Sequence, residues 1–228
     1  MKHSDAIPRL ELLADSAYFT GLGSTELEAI DRLLFEKRYR RDEIIVSEGQ
    51  AAAALYFIAA GAVKIFKTSA DGKEQILSIV RPREAFNEVP VFNGGINPTS
   101  AQAMTPVVLY GLDRNDVHTI LRTRPQVALN VIGIMAQRLR HMVSLVEELS
   151  FKRVISRVAG ILLNYAGDGV APGTRLTQRD MAAMAGTARE VVARSLKTLE
   201  DDGLIYLDKQ RIVISDKGAL QQVAGQVL

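Results

Sequence analysis

The chain contains no cysteine. That absence removes disulfides, thiolate zinc sites, cysteine-ligated iron–sulfur clusters and cysteine nucleophiles together, and it fits a reducing, cytoplasmic setting. No run of about 18 apolar residues occurs, so no membrane-spanning helix and no membrane partner is expected. The N-terminal stretch MKHSDAIPRLELLADS carries acids and lacks an apolar core, which is unlike a secretory signal. Histidine is scarce: His3, His118 and His141 are too scattered to form a triad. There is no P-loop, no GxSxG and no metal-ligand spacing, and the carboxylates fall mostly on helix exteriors. These absences argue against an enzyme.

What is present suits two domains. At 228 residues there is room for two separate cores, and 47% apolar with 24% charged residues is globular usage. The net charge is +2, but it is uneven: from Phe151 onward eleven Lys and Arg stand against eight Asp and Glu, leaving −1 for residues 1–150. A mildly basic C-terminal part is compatible with nucleic acid and does not decide it.

Three periodicities follow one another. Thr25 with Glu28 reads as a capping box opening a short helix. Residues 42–112 then read as strands, with LYFIA (55–59), AVKIF (62–66) and EQILSIV (74–80) separated by Gly49, Ala60-Gly61 and Asp71-Gly72. Asp-Gly is a two-residue hairpin signal. Short strands at roughly ten-residue spacing suggest a β-barrel or sandwich, and ALYFIAAGAV, apolar almost throughout, suits strands covered on both faces. The turn-rich VFNGGINPTS (91–100) reads as a surface loop, a cap over a pocket, or a polymerase-facing loop.

From Pro125, a good first helical residue, no proline interrupts PQVALNVIGIMAQRLRHMVSLVEELS. Ile132, Met135, Leu139, Met142, Val146 and Leu149 recur at 3-4-3-4-3 spacing, the seam of a coiled coil. A helix lying only on its own domain needs one apolar stripe, and Val131, Ile134 and Leu145 already supply it. A second stripe therefore implies a parallel homodimer. RVISRVAGILLNYAG follows as another amphipathic helix, then the loop DGVAPGTR.

Residues 177–200 read TQRDMAAMAGTAREVVARSLKTLE. Thr177 with Asp180 caps a short helix. Ala182 is small where two helices cross, Gly186 four residues later makes a turn, and Val192 six further on is the buried aliphatic of a second helix. This is the helix-turn-helix pattern. Two short strands, Leu204–Leu207 and Arg211–Ser215, supply a wing. On the outer side of the second helix, Arg189 and Arg194 can fork onto guanine O6 and N7, and Glu190 can accept from cytosine N4. Glu190 with Arg194 is equally a good helix-surface ion pair. Thr177, Gln178, Arg179 and Thr187 at helix starts, with Lys197, suit DNA backbone contacts.

The order of strand region, seam helix and winged helix-turn-helix resembles the CRP/FNR family of bacterial transcription regulators over about residues 15–217. The carriers are EGQAAAALYFIAAGAVKIFKTSADGKEQIL (48–77), REAFNEV…PTSA (83–101) and LTQRDMAAMAGTAREVVARSLKTLEDDGLI (176–205). The resemblance implies an α+β fold. A double-stranded β-helix sensor of jelly-roll type (1–122) would precede a dimerisation helix (123–150) and a DNA-binding domain (151–228). It also implies a dimer on a palindromic site, with recognition helices about one DNA turn apart, and RNA polymerase as partner, touched through Tyr165–Arg175 and the Lys67–Lys73 turn. Arg189, Glu190 and Arg194 fall on the base-reading positions of cyclic-AMP-binding members, which implies TGTGA-like half-sites. Members of the FNR branch carry Ser where Ala193 stands, and their cluster needs cysteines.

The resemblance places an effector pocket at Phe86, Asn87, Glu88, Val89, Thr99, Ser100, Met142 and Val143, with Val91 in its apolar lining. Cyclic-AMP-binding members hold the phosphate with an arginine where Thr99 stands, and the adenine with a Thr-Ser pair where Met142 and Val143 stand. Glu88 remains for a ribose hydroxyl and Ser100 for a phosphate oxygen, yet the charge-assisted bond is missing. This argues against cyclic AMP. Three alternatives stay open: haem, with His141 as the candidate ligand; another small-molecule effector; or a self-filled pocket needing no cofactor.

Overall fold

The structure is a computed structural model that describes residues 6–51, 54–165, 176–208 and 211–225. Two compact units emerge from it. The first takes the described residues up to Lys67 together with Ile79–His141, and the second takes Thr68–Ser78 and those from Met142 onward.

The first unit begins with helices α1 (Arg9–Asp15) and α2 (Ser24–Asp31). Eight strands follow: β1 (Phe35–Tyr39), β2 (Ile44–Val46), β3 (Ala54–Ala60), β4 (Val63–Thr68), β5 (Glu74–Val80), β6 (Ala85–Phe86), β7 (Ser100–Ala103) and β8 (Val107–Asp113). A short helix α3 (Glu88–Asn93) lies between β6 and β7, and α4 (Arg114–Thr123) follows β8. The strands form two four-stranded sheets, ordered β1-β8-β3-β6 and β2-β7-β4-β5. This is the jelly-roll-type β-roll expected from the sequence.

The apolar run in β3 has a simple cause. Its Ala54, Tyr56 and Ile58 enter a core enclosed by the two sheets, with Phe86 and Ala101, whereas Leu55, Phe57 and Ala59 face the helical layer. Successive side chains on a strand point to opposite faces, so a strand between two cores must be apolar at every position. β8 repeats the division: Val107 and Leu109 turn one way, Val108, Tyr110 and Leu112 the other. Gly111 pairs with Phe35, whose ring would stand 2.2 Å from an added Cβ, so the close approach of β1 demands glycine there. The helical layer packs Leu12, Leu13, Ile30, Val117, Ile120 and Val127 against the back of this sheet.

Three local expectations are corrected. The α2 helix begins at Ser24, not after Thr25, because the Gly23 N–H is satisfied by Glu26 Oε2 at 3.0 Å. The Asp71-Gly72 turn is longer than two residues: strands end at Thr68 and resume at Glu74. The Ser69 hydroxyl, accepting from Lys73 N at 3.1 Å and donating to Asp71 at 2.5 Å, stabilises the wider loop. The 91–100 segment is not wholly loop, since its first three residues close α3. Its Asn97, only 3% exposed, pins the remainder by donating to Gln50 O at 2.7 Å and Ser47 O at 3.2 Å.

Helix α5 (Pro125–Phe151) starts at the expected proline and continues from the first unit into the second. The second unit adds α6 (Val154–Tyr165), α7 (Gln178–Ala185), α8 (Arg189–Asp201), the two-stranded β9 (Ile205–Asp208) and β10 (Arg211–Ile214), and α9 (Lys217–Val223). Its core unites Val158 and Leu162 of α6, Met181 and Ala182 of α7, Val192 and Leu199 of α8, and Leu220 of α9. Among the described residues, no helix is long and apolar enough to cross a membrane.

Candidate nucleic-acid interface and effector site

The α7 start is built as its sequence requires. Thr177 N donates to Asp180 Oδ2 at 2.9 Å and Asp180 N donates back to Thr177 Oγ1 at 3.1 Å, a closed capping box. Gly186 ends the helix in the left-handed region at φ 61°, where a side chain would be strained. Thr187 N then donates to Ala182 O at 3.0 Å, so the turn is locked by its own backbone. Arg157 was not anticipated: its Nε donates to Ala185 O at 2.8 Å and its Nη1 to Lys152 O at 2.6 Å, occupying the last carbonyl of α7. A basic residue on the preceding helix, 28 residues away, carries no local signal for that role.

On α8, Val192, Ser195, Leu196 and Leu199 are buried. Helical spacing then dictates the opposite face, and Glu190, Arg194 and Lys197, four and three residues apart, all stand exposed on it. Arg189 is exposed at the first helical position, with Nε 3.5 Å from Gln178 Oε1. Arg179 is exposed, Gln178 and Thr187 half-buried, and the Thr177 hydroxyl also donates to Asp180 at 2.7 Å. The wing pairs Ile205 with Ile214 and Leu207 with Ile212. Its strands shift by about one residue from the sequence-based bounds, within ordinary end effects. The expected polymerase-facing segment falls mainly on 166–175, outside the described residues.

The residues expected to form an effector pocket lie in different settings. Phe86 is buried in the roll. Asn87 takes a left-handed backbone (φ 75°), and its Nδ2 donates to Ala54 O at 2.8 Å. Glu88 is 3% exposed and accepts from Tyr18 Oη and Arg138 Nη2, each at 2.5 Å. Burial pushes the Glu88 carboxyl upward, while Arg138 and the Tyr18 hydrogen bond pull it back. The Tyr18 phenol is raised far above its ordinary value, first by burial and then by the neighbouring carboxylate. Val89 is exposed, Val91 buried. Thr99 is half-buried, and Ser100 Oγ accepts from Glu48 N at 3.0 Å. Met142, half-buried, and Val143, exposed, belong to the second unit. A small apolar cavity of about 10 Å³, lined by Tyr18, Phe19, Leu55, Val117 and Val131, lies in the helical layer and is barely the size of one water.

His118 Nε2 lies 2.8 Å from Val91 O, and His141 is exposed on α5. His3 is outside the described residues. Among the described residues, no group of three or more histidines and carboxylates is arranged to hold a metal ion.

Along α5, Val127 and Val131 are buried, and Ile134 and Met135 pack against the same core. Besides the terminal Phe151, the large apolar residues left exposed are Leu129, Ile132, Leu139, Val143 and Val146. Leu129, Ile132, Leu139, Val143 and Val146 form, with exposed Ala136, a second 3-4-3-4-3 series. Ile132, Leu139 and Val146 are common to this stripe and to the series read from sequence; Met142 and Leu149 are half-buried.

Comparison with known proteins gives consistent likenesses. A model of the cyclic nucleotide-binding domain matches residues 36–124, and a model of the Crp-like helix-turn-helix domain matches residues 156–223. The chain is 31% identical over 209 residues to a cyclic AMP receptor protein of Thermus thermophilus, covering 92% of this chain and 97% of that one. It is 30% identical over 221 residues to a CRP-like cAMP-activated global transcriptional regulator of Mycobacterium tuberculosis, with 94% and 99% covered. The solved structure of FixK2 from Bradyrhizobium japonicum is similar at a TM-score of 0.74 and 27% identity, covering 83% of this chain and 96% of that one.

Proposed function

Because the chain belongs to the CRP/FNR family of transcription regulators, with a helix-turn-helix DNA-binding domain, we propose that it acts in the cytoplasm as a homodimer on a palindromic site with TGTGA-like half-sites. Arg189, Glu190 and Arg194 read base edges in the major groove, and Thr177, Gln178, Arg179, Thr187 and Lys197 meet the DNA backbone. The observation that carries this is the outward face of α8, where Glu190, Arg194 and Lys197 stand together opposite the buried face of Val192, Ser195, Leu196 and Leu199. The uncovered stripe of α5 supports a partner helix, with the seam running through Ile132, Leu139 and Val146 and turned from Met135 toward Ala136 and Val143.

The β-roll (1–122 in the division above) is the sensing part, and its effector is not cyclic AMP. Thr99 brings no positive charge to a phosphate, and both donors facing Glu88 come from the chain itself. Binding at the roll shifts α5 between two arrangements and thereby alters the output to RNA polymerase.

A gel-shift at stated salt tests the DNA reading. Wild type should bind a palindromic TGTGA probe more tightly than a single half-site. Arg194→Ala should lose about 1–3 kcal/mol of discrimination at the guanine it reads. Equal binding of wild type and Arg194→Ala refutes the base-reading assignment.

A further inference from the structure

Among the described residues, Glu88 is the only charged side chain that is buried. A carboxylate persists in such a place only if donors replace the water it has lost. Here the donors arrive from two distant stretches. Tyr18, in the turn between α1 and α2, and Arg138, on α5, both meet Glu88 Oε1 at 2.5 Å, and Arg138 Nη2 also donates to Ala85 O at 2.6 Å.

The turn that presents Tyr18 is held in its turn. Asn130, about two helical turns before Arg138 on α5, donates through Nδ2 to the carbonyls of Tyr18 at 3.0 Å and Thr20 at 2.8 Å. The Tyr18 ring stands edge-on to Phe57, centroids 5.5 Å apart, and is 5% exposed. The phenol therefore cannot leave Glu88 without emptying core volume and losing its hydrogen bond to the carboxylate.

We propose that Tyr18 is the built-in ligand of Glu88 and determines which effectors the roll accepts: a hydroxyl-bearing ligand competes with the phenol for Glu88 Oε1, the oxygen that Tyr18 holds. This rests on the reading of the first unit as the sensing part. It gives the roll a specificity element outside the strands and outside α3. A ligand whose sole claim on the site is a hydroxyl gains nothing, because it exchanges one hydroxyl–carboxylate bond for another and leaves a buried phenol unpaired. An effector must bring further contacts to win.

The test is calorimetric titration of the full chain with cyclic AMP, a probe that carries a ribose hydroxyl. Wild type, Tyr18→Phe and the double variant Tyr18→Phe with Glu88→Gln are compared. Tyr18→Phe keeps the ring in the core and removes only the competing donor. It should bind the probe at least about tenfold more tightly than wild type, and the double variant should lose that gain. Equal affinity of wild type and Tyr18→Phe, including no detectable binding by either, overturns the proposal, and so does a gain that survives Glu88→Gln. A second measurement needs no ligand. In protein labelled with ¹³C at the tyrosine ring, the Tyr18 resonance, assigned by its loss in Tyr18→Phe, should move in Glu88→Gln; an unmoved resonance overturns the proposal as well. Tight binding of cyclic AMP by wild type would break the effector reading while leaving the affinity ratio to be read, and the Arg194→Ala gel-shift makes no reference to Tyr18.

Discussion

On α8 the charged residues face outward and the apolar ones inward, while around Glu88 in the roll a charge lies inside and an apolar Val89 lies beside it in solvent. The difference separates two ways of holding chemistry. Arg194 and Lys197 cost the fold little, since water solvates them until another charged surface replaces it. Glu88 is held through Tyr18, Arg138 and its own backbone N–H, so its chemistry is inseparable from the stability of the first unit. Exposed charged residues can be exchanged one at a time, whereas the buried carboxylate changes only together with its donors.

The largest test of this contrast is Arg138→Met. It leaves Glu88 buried without a cationic partner, and urea unfolding at neutral pH should show a loss of about 3 kcal/mol. That is the low end for orphaning a buried charge, because the guanidinium is itself 41% exposed. The sign with pH follows from burial. Without Arg138 the carboxyl is raised further above its unfolded value, so its protonated form favours the folded state. The deficit should shrink as pH falls through the carboxylate range and grow as pH rises above it. A pH-independent deficit would sink the assignment of Glu88 as a charged partner.

Thr177→Ala is next in size. Opening the capping box at the start of α7 should lower stability by about 1 kcal/mol, read as a lower urea midpoint. Because α7 supports α8, the same variant should weaken all DNA probes alike, unlike Arg194→Ala. The smallest effect on the fold belongs to Lys197→Gln. Its stability should match wild type, while the slope of log affinity against log salt falls by about one. A measurable loss of stability there would contradict the separation of exposed from buried chemistry.

Much of this molecule was legible beforehand because its cues are local. The α7 box needs only Thr177 and Asp180 three residues apart, and the left-handed turn needs only Gly186. The start of α5 needs only Pro125, and the apolar run of β3 announces two covered faces. Other elements left weaker traces. β1 reads FEKRY, with its middle three residues exposed, and α3 is six residues long with a proline inside it. Neither offers a periodicity long enough to register.

Sequence alone determined the order of the parts, the helix-turn-helix and the outward placement of Glu190, Arg194 and Lys197, because each depends on residues within a few positions of one another. Tertiary structure alone decided which flank of α5 meets its own core and what faces Glu88. Met135 and Ala136 differ by one position on the same helix, and only the packing of Val127 and Val131 against the roll determines which of them stays uncovered. Tyr18, Glu88 and Arg138 lie 70 and 50 residues apart in the chain. No local propensity links them; the chain brings them together because a buried carboxylate must find its donors wherever the fold can supply them.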